Sequence, residues 1–119
     1  NLVELMPDTV VSENDMVVKE RFGLEANAFN ALVYYGPDSN MDAAELLLVD
    51  MKDTSQKETV TDAIQKRIDY QKTCFEGYGV DQMELINQAK TVVYGHYVLF
   101  IVSKDSQPAR DAFAEAVTK

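Results

Sequence analysis

Two stretches of this chain are apolar at every position, and they limit the possible folds more than any other feature. They are residues 46–49 (LLLV) and 98–102 (VLFIV). Successive side chains of a β-strand point to opposite faces, so a strand with one face in water alternates apolar and polar residues. Neither stretch alternates. We therefore expect two central strands that carry large hydrophobic side chains on both faces of a sheet.

A sheet of this kind needs a cover on each face. We expect the main helices to cover one face, which leaves the second face for the N-terminal segment, residues 1–22, or for a second copy of the chain. An uncovered second face would expose about 400–600 Å² of apolar surface, close to the largest patches that monomers tolerate. We favour the N-terminal segment, because a tethered segment loses less freedom when it docks.

Apolar spacing, capping residues and turn residues predict the individual elements. The best-defined one is a helix over residues 55–75, where apolar side chains recur at helical spacing before Gly77 and Gly79. Ser12 is the expected N-cap of a short helix that ends before Gly23. The other predicted elements are strands at residues 29–35, 44–51, 91–94 and 97–103, a short helix at 81–89 and a last helix from residue 106.

The order of these elements after the first helix is a strand–strand–helix unit used twice, with a short helix between the two units. Weak local similarity supports a duplication, since VYYG at residues 33–36 is echoed by VVYG at residues 92–95. We predict an α+β fold in which a four-stranded antiparallel sheet carries the main helices on one face, with the N-terminal helix as an extra element. Residues 1–23 are expected to be part of the same single domain as residues 24–119.

The charge of the chain argues against a nucleic acid as partner. Twenty acidic residues against eleven basic ones give a net charge of −9, and residues 1–50 hold ten of the acids but only two bases. Binding to phosphate backbones requires clustered lysine and arginine. The acidic N-terminal part therefore either keeps the protein soluble or faces a basic partner or cations. The longest apolar run is about half of a membrane span, so no segment of the sequence is predicted to cross a bilayer.

No catalytic constellation is visible in the sequence, so we predict that the protein is not an enzyme. Nucleophilic catalysis needs an activated nucleophile beside an oriented base. The only histidine, His96, falls in a predicted turn, and the only cysteine, Cys74, is expected to be a buried residue of the long helix. There is no glycine-rich phosphate loop, and no cofactor is predicted. The remaining enzymatic alternative is a hydrolase that uses carboxylates alone, which needs two acids converging in one pocket.

One loop resembles a calcium-binding motif, because Asp38, Asn40 and Asp42 alternate as its first ligands would. The motif also requires glycine at position 43 and a bidentate glutamate at position 49, where this chain has Ala43 and Val49. Zinc or iron would need several histidine or cysteine ligands. We therefore predict a polar loop at this point and no metal site.

Five tyrosines are candidate ligand-binding residues because they fall near strand ends or turns. They are Tyr34, Tyr35, Tyr78, Tyr94 and Tyr97. Tyrosines in such places commonly cover the edge of a core while their hydroxyl groups contact water. The alternative is a shallow aromatic groove that binds a peptide or a glycan.

Over residues 66–104 the chain resembles a bacterial family, domain of unknown function 4358. The resemblance is carried by Arg67, Gln71, Phe75 and Tyr78, followed by a short acidic helix, by GHY at 95–97, by an apolar strand and by SKD at 103–105. It extends from about Leu24 to the end of the chain. Members of the family often have proline after the tyrosine that ends the helix, where this chain has Gly79 and Val80.

The resemblance implies a lipoprotein of a Gram-positive bacterium, and therefore a domain held at the outer face of the cell membrane by a lipid anchor. Because the chain opens on Asn1, we interpret it as trimmed or processed, with a signal peptide and a lipidated cysteine upstream. The expected function is a binding or structural module, monomeric or dimeric, whose partner is a protein or small ligand at the cell surface. The alternative is a small-ligand or peptide-binding protein with a tyrosine-lined groove.

Overall fold

The computed structural model describes residues 2–5, 10–37, 42–77 and 79–118. Its strands are β1 (Val10–Ser12), β2 (Ala31–Pro37), β3 (Glu45–Asp50), β4 (Lys90–Tyr94) and β5 (Tyr97–Val102). Its α-helices are α1 (Asp15–Phe22), α2 (Lys57–Phe75), α3 (Val80–Asn87) and α4 (Gln107–Thr118). Short 3₁₀ helices lie at Leu2–Leu5, Ala26–Ala28 and Thr54–Gln56.

The strands form one antiparallel sheet in the order β1-β2-β3-β5-β4. The predicted α+β class is confirmed, but the predicted number of four strands is wrong, because β1 pairs with the outer edge of β2. A strand of three residues is too short to show an alternating pattern, and Ser12 looks like a helix cap. In the structure Ser12 ends β1, and the side chain of Asn14 caps α1 by accepting a hydrogen bond from the Val17 N–H at 3.1 Å.

Both central strands are apolar on both faces, as their sequences predict. In β3, Leu47 and Val49 join the hydrophobic cluster that packs against α2, whereas Leu46 and Leu48 join the cluster that packs against α4. We call these two sides of the sheet the α2 face and the α4 face. The α2 face also packs against α1 and α3. The prediction that both main helices share one face is therefore wrong, because a sheet that is apolar on both sides can bury one helix on each.

The positions of α2 and α4 also argue against two equivalent strand–strand–helix units. Strands β3 and β5 are antiparallel neighbours, so two equivalent units would be related by a twofold axis normal to the sheet. Such a rotation keeps each helix on the same face, but α2 and α4 lie on opposite faces. The two units cannot be superposed as wholes, so the local sequence similarity does not extend to the placement of their helices.

Helix α4, and not the N-terminal segment, is the main cover of the second face. Its Ala109 and Phe113 are buried in the cluster of the α4 face. The N-terminal helix α1 packs on the opposite side, where Val18 and Phe22 join the core of the α2 face. The 3₁₀ helix Leu2–Leu5 lies beside α4. The favoured prediction of an N-terminal cover is therefore wrong for α1, while residues 6–9 lie outside the described residues.

Candidate functional site

A groove lies on the α2 face, between α1 and α2 and over the edge of the sheet formed by β1 and the end of β2. Its volume is about 1090 Å³. Apolar groups and the single thiol line part of it, contributed by Val11, Phe22, Pro37, Ala63, Cys74 and Phe75. The rest is polar and comes from Glu13, Glu20, Arg21, Asp42, Lys66, Arg67, Tyr70 and Gln71. This mixture of apolar surface and converging polar groups is typical of a ligand-binding site.

A buried ion pair lies at the base of the groove. Glu45, the first residue of β3, is 1% exposed, and Arg67, in the middle of α2, is 6% exposed. The Arg67 guanidinium donates from Nε to Glu45 Oε2 at 3.1 Å and from Nη2 to Glu45 Oε1 at 3.0 Å. It also lies over the Phe22 ring, 5.7 Å from the centroid. Burial has the largest single effect on the pKa of Arg67 and lowers it, but the charge and hydrogen bonds of Glu45, together with Tyr34, outweigh burial and raise this pKa above its ordinary value.

Tyr34 connects this ion pair to α1. Its hydroxyl group donates to Glu45 Oε1 at 2.5 Å and accepts a hydrogen bond from Arg21 Nη1 at 3.1 Å. Burial raises the pKa of Tyr34 well above its ordinary value, and the negative charge of Glu45 raises it further. Tyr34 therefore stays protonated and holds its donated hydrogen bond over the whole physiological pH range.

The chain of contacts continues to the edge strand through Arg21. Arg21 Nη2 lies 3.5 Å from Glu13 Oε2, in the segment that joins β1 to α1. Glycine at position 36 leaves the room that Arg21 needs, because a Cβ there would lie 2.5 Å from Arg21 Nη1 and 3.0 Å from the Tyr34 hydroxyl. We call the five connected residues, Glu13, Arg21, Tyr34, Glu45 and Arg67, the polar network.

Gln71 lies one helical turn after Arg67 and also lines the groove. The residue is 8% exposed, yet no residue in the described part of the chain hydrogen-bonds to its side-chain carboxamide. No buried side-chain nitrogen or oxygen atom of the described residues lacks a hydrogen-bond partner, so the exposed part of Gln71 includes its carboxamide, which is in contact with water. Gln71 is therefore a polar group that the groove presents to solvent or to a ligand.

Tyr70 and Cys74 line the groove further along α2. Tyr70 is 61% exposed, and a hydrogen bond with Cys74 is the main cause of a raised pKa for its phenol. The Cys74 side chain packs against the core of the α2 face but is only partly buried. The expectation of a buried cysteine is therefore wrong, since Cys74 is only partly buried and lies on the border between the core and the groove.

The structure does not bring the predicted tyrosines together. Tyr34 is buried on the α2 face, whereas Tyr35 and Tyr97 pack on the α4 face. Tyr94 pairs with Tyr97 across the β4–β5 hairpin and is half-exposed. Tyr78 lies outside the described residues. The four described tyrosines thus do not line one groove, and a binding role for each of them stays a prediction.

His96 lies in the turn between β4 and β5, as predicted, and its side chain is about half-exposed. Its Nδ1 contacts Asp50 Oδ1 at 2.5 Å, and its ring lies 4.3 Å from that of Tyr97. Of the candidate calcium ligands, Asp42 accepts a hydrogen bond from the Ala44 N–H at 3.1 Å, while Asp38 and Asn40 lie outside the described residues. Across residues 2–5, 10–37, 42–77 and 79–118, no group of His, Cys, Asp and Glu side chains is arranged to hold a metal ion.

The sequence analysis missed the polar network, because its members are far apart in the chain. Two signals were nevertheless present. Glu45 directly precedes the apolar run of β3, and Arg67 and Gln71 occupy the inner positions of α2 beside Ile64 and Phe75. Charged or amide side chains at core positions are rare unless they are paired, so this pattern predicts a buried polar contact but not its partner.

Comparisons with known sequences and structures identify the family. No helix in the described ranges has the length and apolar character needed to span a membrane. No curated protein and no solved structure shows significant similarity to the chain. The sequence profile of the family described as Domain of unknown function (DUF4358) matches residues 5–103. This range begins before Leu24 and ends before α4, so it starts and stops earlier than the sequence resemblance suggests. The chain therefore belongs to the DUF4358 family.

Proposed function

We propose that the chain is a binding module whose ligand occupies the groove between α1 and α2. The observation that carries this proposal is the groove itself, about 1090 Å³ in volume, whose lining combines apolar surface with the Gln71 carboxamide and several charged side chains. The polar network beneath it supports the proposal, because buried hydrogen bonds from three elements fix the base of the groove in one arrangement. A pre-formed site of this kind reduces the entropy cost of binding.

Binding is favoured over catalysis by the positions of the two side chains best suited to nucleophilic chemistry. Cys74 is the second-last residue of α2. His96 lies beside the segment that leads into that helix, since its carbonyl accepts a hydrogen bond from the N–H of Met51. From its first residue to Cys74, α2 is roughly 25 Å long at 1.5 Å per residue, and the two side chains lie toward opposite ends of it. A cysteine–histidine pair would need contact between them.

The same proposal includes a location outside the cytoplasmic membrane, with a lipid anchor upstream of this chain. Its support is the resemblance to lipoproteins of Gram-positive bacteria, in which such a module would present its groove to ligands at the cell surface. In the native host, the full-length gene product should incorporate a labelled fatty acid and be cleaved by protease added to intact cells. An unlabelled product that resists this protease until lysis would contradict the location.

The binding role itself is tested by ¹H–¹⁵N correlation spectra of the chain. The probes are four compound classes added separately: N-acetyl amino acid amides, short peptides, disaccharides and dicarboxylates. At least one class should shift resonances that cluster around the groove, among them Arg21, Lys66 and Gln71, and should leave the α4 face unchanged. Absence of groove shifts with every class at millimolar concentration would contradict the proposal.

A further inference from the structure

We infer that the outer edge of β4 is a self-association surface, through which two copies of the chain pair into one continuous sheet. This surface lies at the opposite edge of the sheet from the groove and does not depend on the proposed function. β4 is the last strand in the order β1-β2-β3-β5-β4, and no strand of the described residues pairs with its outer edge. A free edge of this kind is a template for pairing with another chain.

The two edges of the sheet differ in how well they are protected. Natural proteins protect an edge with a short strand, proline, a bulge or charged side chains. β1 has only three residues, and Pro7 and Glu13 lie close to it in the sequence. β4 has five residues in unbroken register with β5, four of them are exposed, and its only charged side chain is that of Lys90. Only β4 therefore offers an open edge of ordinary strand length.

The distribution of charge favours a second copy of the chain as the partner. Residues 85–104 contain no acidic residue, although the whole chain has twenty acids in 119 residues and a net charge of −9. Two such chains repel each other least where acids are absent, whereas a basic partner would be attracted to the acidic residues elsewhere. Val93 and Tyr94, 36% and 48% exposed, add apolar surface to this edge.

The geometry of the β4–β5 hairpin determines which backbone groups of β4 point outward. Tyr94 and Tyr97 pair directly across the two-residue turn, so Tyr94 exchanges both of its backbone hydrogen bonds with β5. The direction of the backbone groups alternates along a strand. The N–H and C=O groups of Thr91 and Val93 therefore point away from β5, toward an added strand.

This outward pattern is self-complementary about Val92. With Val92 opposite its own copy in an antiparallel pair, Thr91 of each chain faces Val93 of the other, and these two pairs exchange two hydrogen bonds each, four in all. On the α4 face, where Val92 packs, Lys90 lies opposite Tyr94 of the second copy, which permits a cation–π contact. The twofold axis passes between the two β4 strands and leaves both protected β1 edges outermost, so the assembly closes at two copies.

Sedimentation equilibrium of the chain from micromolar to millimolar concentration tests the association. A contact made by one pair of strands is smaller than a standard interface, so the dimer should be weak and form in the upper part of this range. It should tighten as salt rises, because salt screens the repulsion between two chains of net charge −9. A chain that stays monomeric up to one millimolar overturns the inference.

Matched variants locate the contact. Val93→Lys places a hydrated charge in the pairing edge and should weaken the dimer at least tenfold. Val33→Lys adds the same charge at a valine of β2 that is 43% exposed, and it should not weaken the dimer. Thr91→Pro removes an outward N–H and leaves the pairing with β5 intact, so the loss of two hydrogen bonds per dimer should also weaken association about tenfold. Circular dichroism confirms that each variant is folded.

A disulfide tests the register. In a Cys74→Ala background, Val92→Cys places two thiols at the twofold axis, with Cα atoms about 4.5 Å apart in a non-hydrogen-bonded pair, which is within the range of a disulfide. Oxidised glutathione should convert this variant to a covalent dimer, whereas Val33→Cys in the same background should stay monomeric under reducing-agent-free electrophoresis. A dimer that neither β4 variant weakens, or equal crosslinking of the two cysteine variants, would overturn the inference.

Discussion

The polar network allows a quantitative prediction about stability, because its central ion pair is almost fully buried. Removing one partner of a buried pair leaves the other charge without compensation and costs about 3–5 kcal/mol. Glu45→Leu would leave the Arg67 guanidinium unpaired at 6% exposure, and Arg67→Met would leave the Glu45 carboxylate with the Tyr34 hydroxyl as its partner. Since a domain of this size is stable by about 5–15 kcal/mol, either change should remove a large share of the total.

The double variant should behave differently from either single one. With both charges replaced by apolar side chains of similar volume, the desolvation cost disappears, and such exchanges are often neutral or stabilising. We expect the variant that combines Glu45→Leu and Arg67→Met to lie within about 2 kcal/mol of the unmodified chain. The coupling energy between the two positions should therefore be about 3 kcal/mol or more, whereas it would be close to zero if the effects of the two single variants simply added.

Urea unfolding followed by circular dichroism measures these differences. With a slope of about 2 kcal/mol per molar urea, each single variant should lower the midpoint by about 2 M. The exposed pair of Lys19 and Glu25, 2.9 Å apart, is the control, and Glu25→Gln should leave the midpoint unchanged because surface pairs contribute little. Single variants that cost less than about 1 kcal/mol, or costs that simply add in the double variant, would refute the reasoning.

Three further predictions follow from single side chains. Because the folded-state pKa of Tyr34 is raised above the unfolded value of about 10, its contribution to stability should be present below pH 10 and lost as pH rises further. Tyr34→Phe should flatten this alkaline decline in urea midpoints, and an unchanged slope would argue against the assignment. Phe113→Ala should cost about 3–5 kcal/mol by uncovering the α4 face, and a loss below about 1 kcal/mol would show that α4 is not its main cover. The thiol of Cys74 should react with iodoacetamide in the native protein, more slowly than in urea, and complete resistance before unfolding would place it in the core.

The sequence was sufficient to predict the elements whose signal is local. The helix at 55–75 is found at Lys57–Phe75, and the hairpin at 91–103 is found as β4 and β5, because helical spacing and turn residues act within a few positions. The sequence also predicted that the central strands are apolar on both faces, because successive side chains of a strand point to opposite faces of the sheet. The predictions that failed concern residues whose positions depend on contacts with distant parts of the chain.

Three failures share this physical cause. Strand β1 is recognisable only by its partner β2, because three residues carry no pattern of their own. The face chosen by α4 depends on the connection after β5, since both faces of the sheet offer apolar surface. The polar network joins Glu13, in the segment after β1, to Arg67 through residues of four elements, and no spacing rule links side chains that are 54 positions apart. For the tyrosines, nearness to turns was the only signal, and it carries no information about which face each side chain occupies.

The most direct test of the binding site is the side-chain amide resonance of Gln71 during titrations with N-acetyl amino acid amides, short peptides, disaccharides and dicarboxylates. A ligand in the groove should shift both Gln71 NH₂ protons, with the same midpoint as the backbone resonances of Arg21 and Lys66. The Gln65 amide, exposed on the same helix, should stay at its free position throughout. If the Gln71 resonance moves with none of the four classes, the groove is not the binding site of this chain.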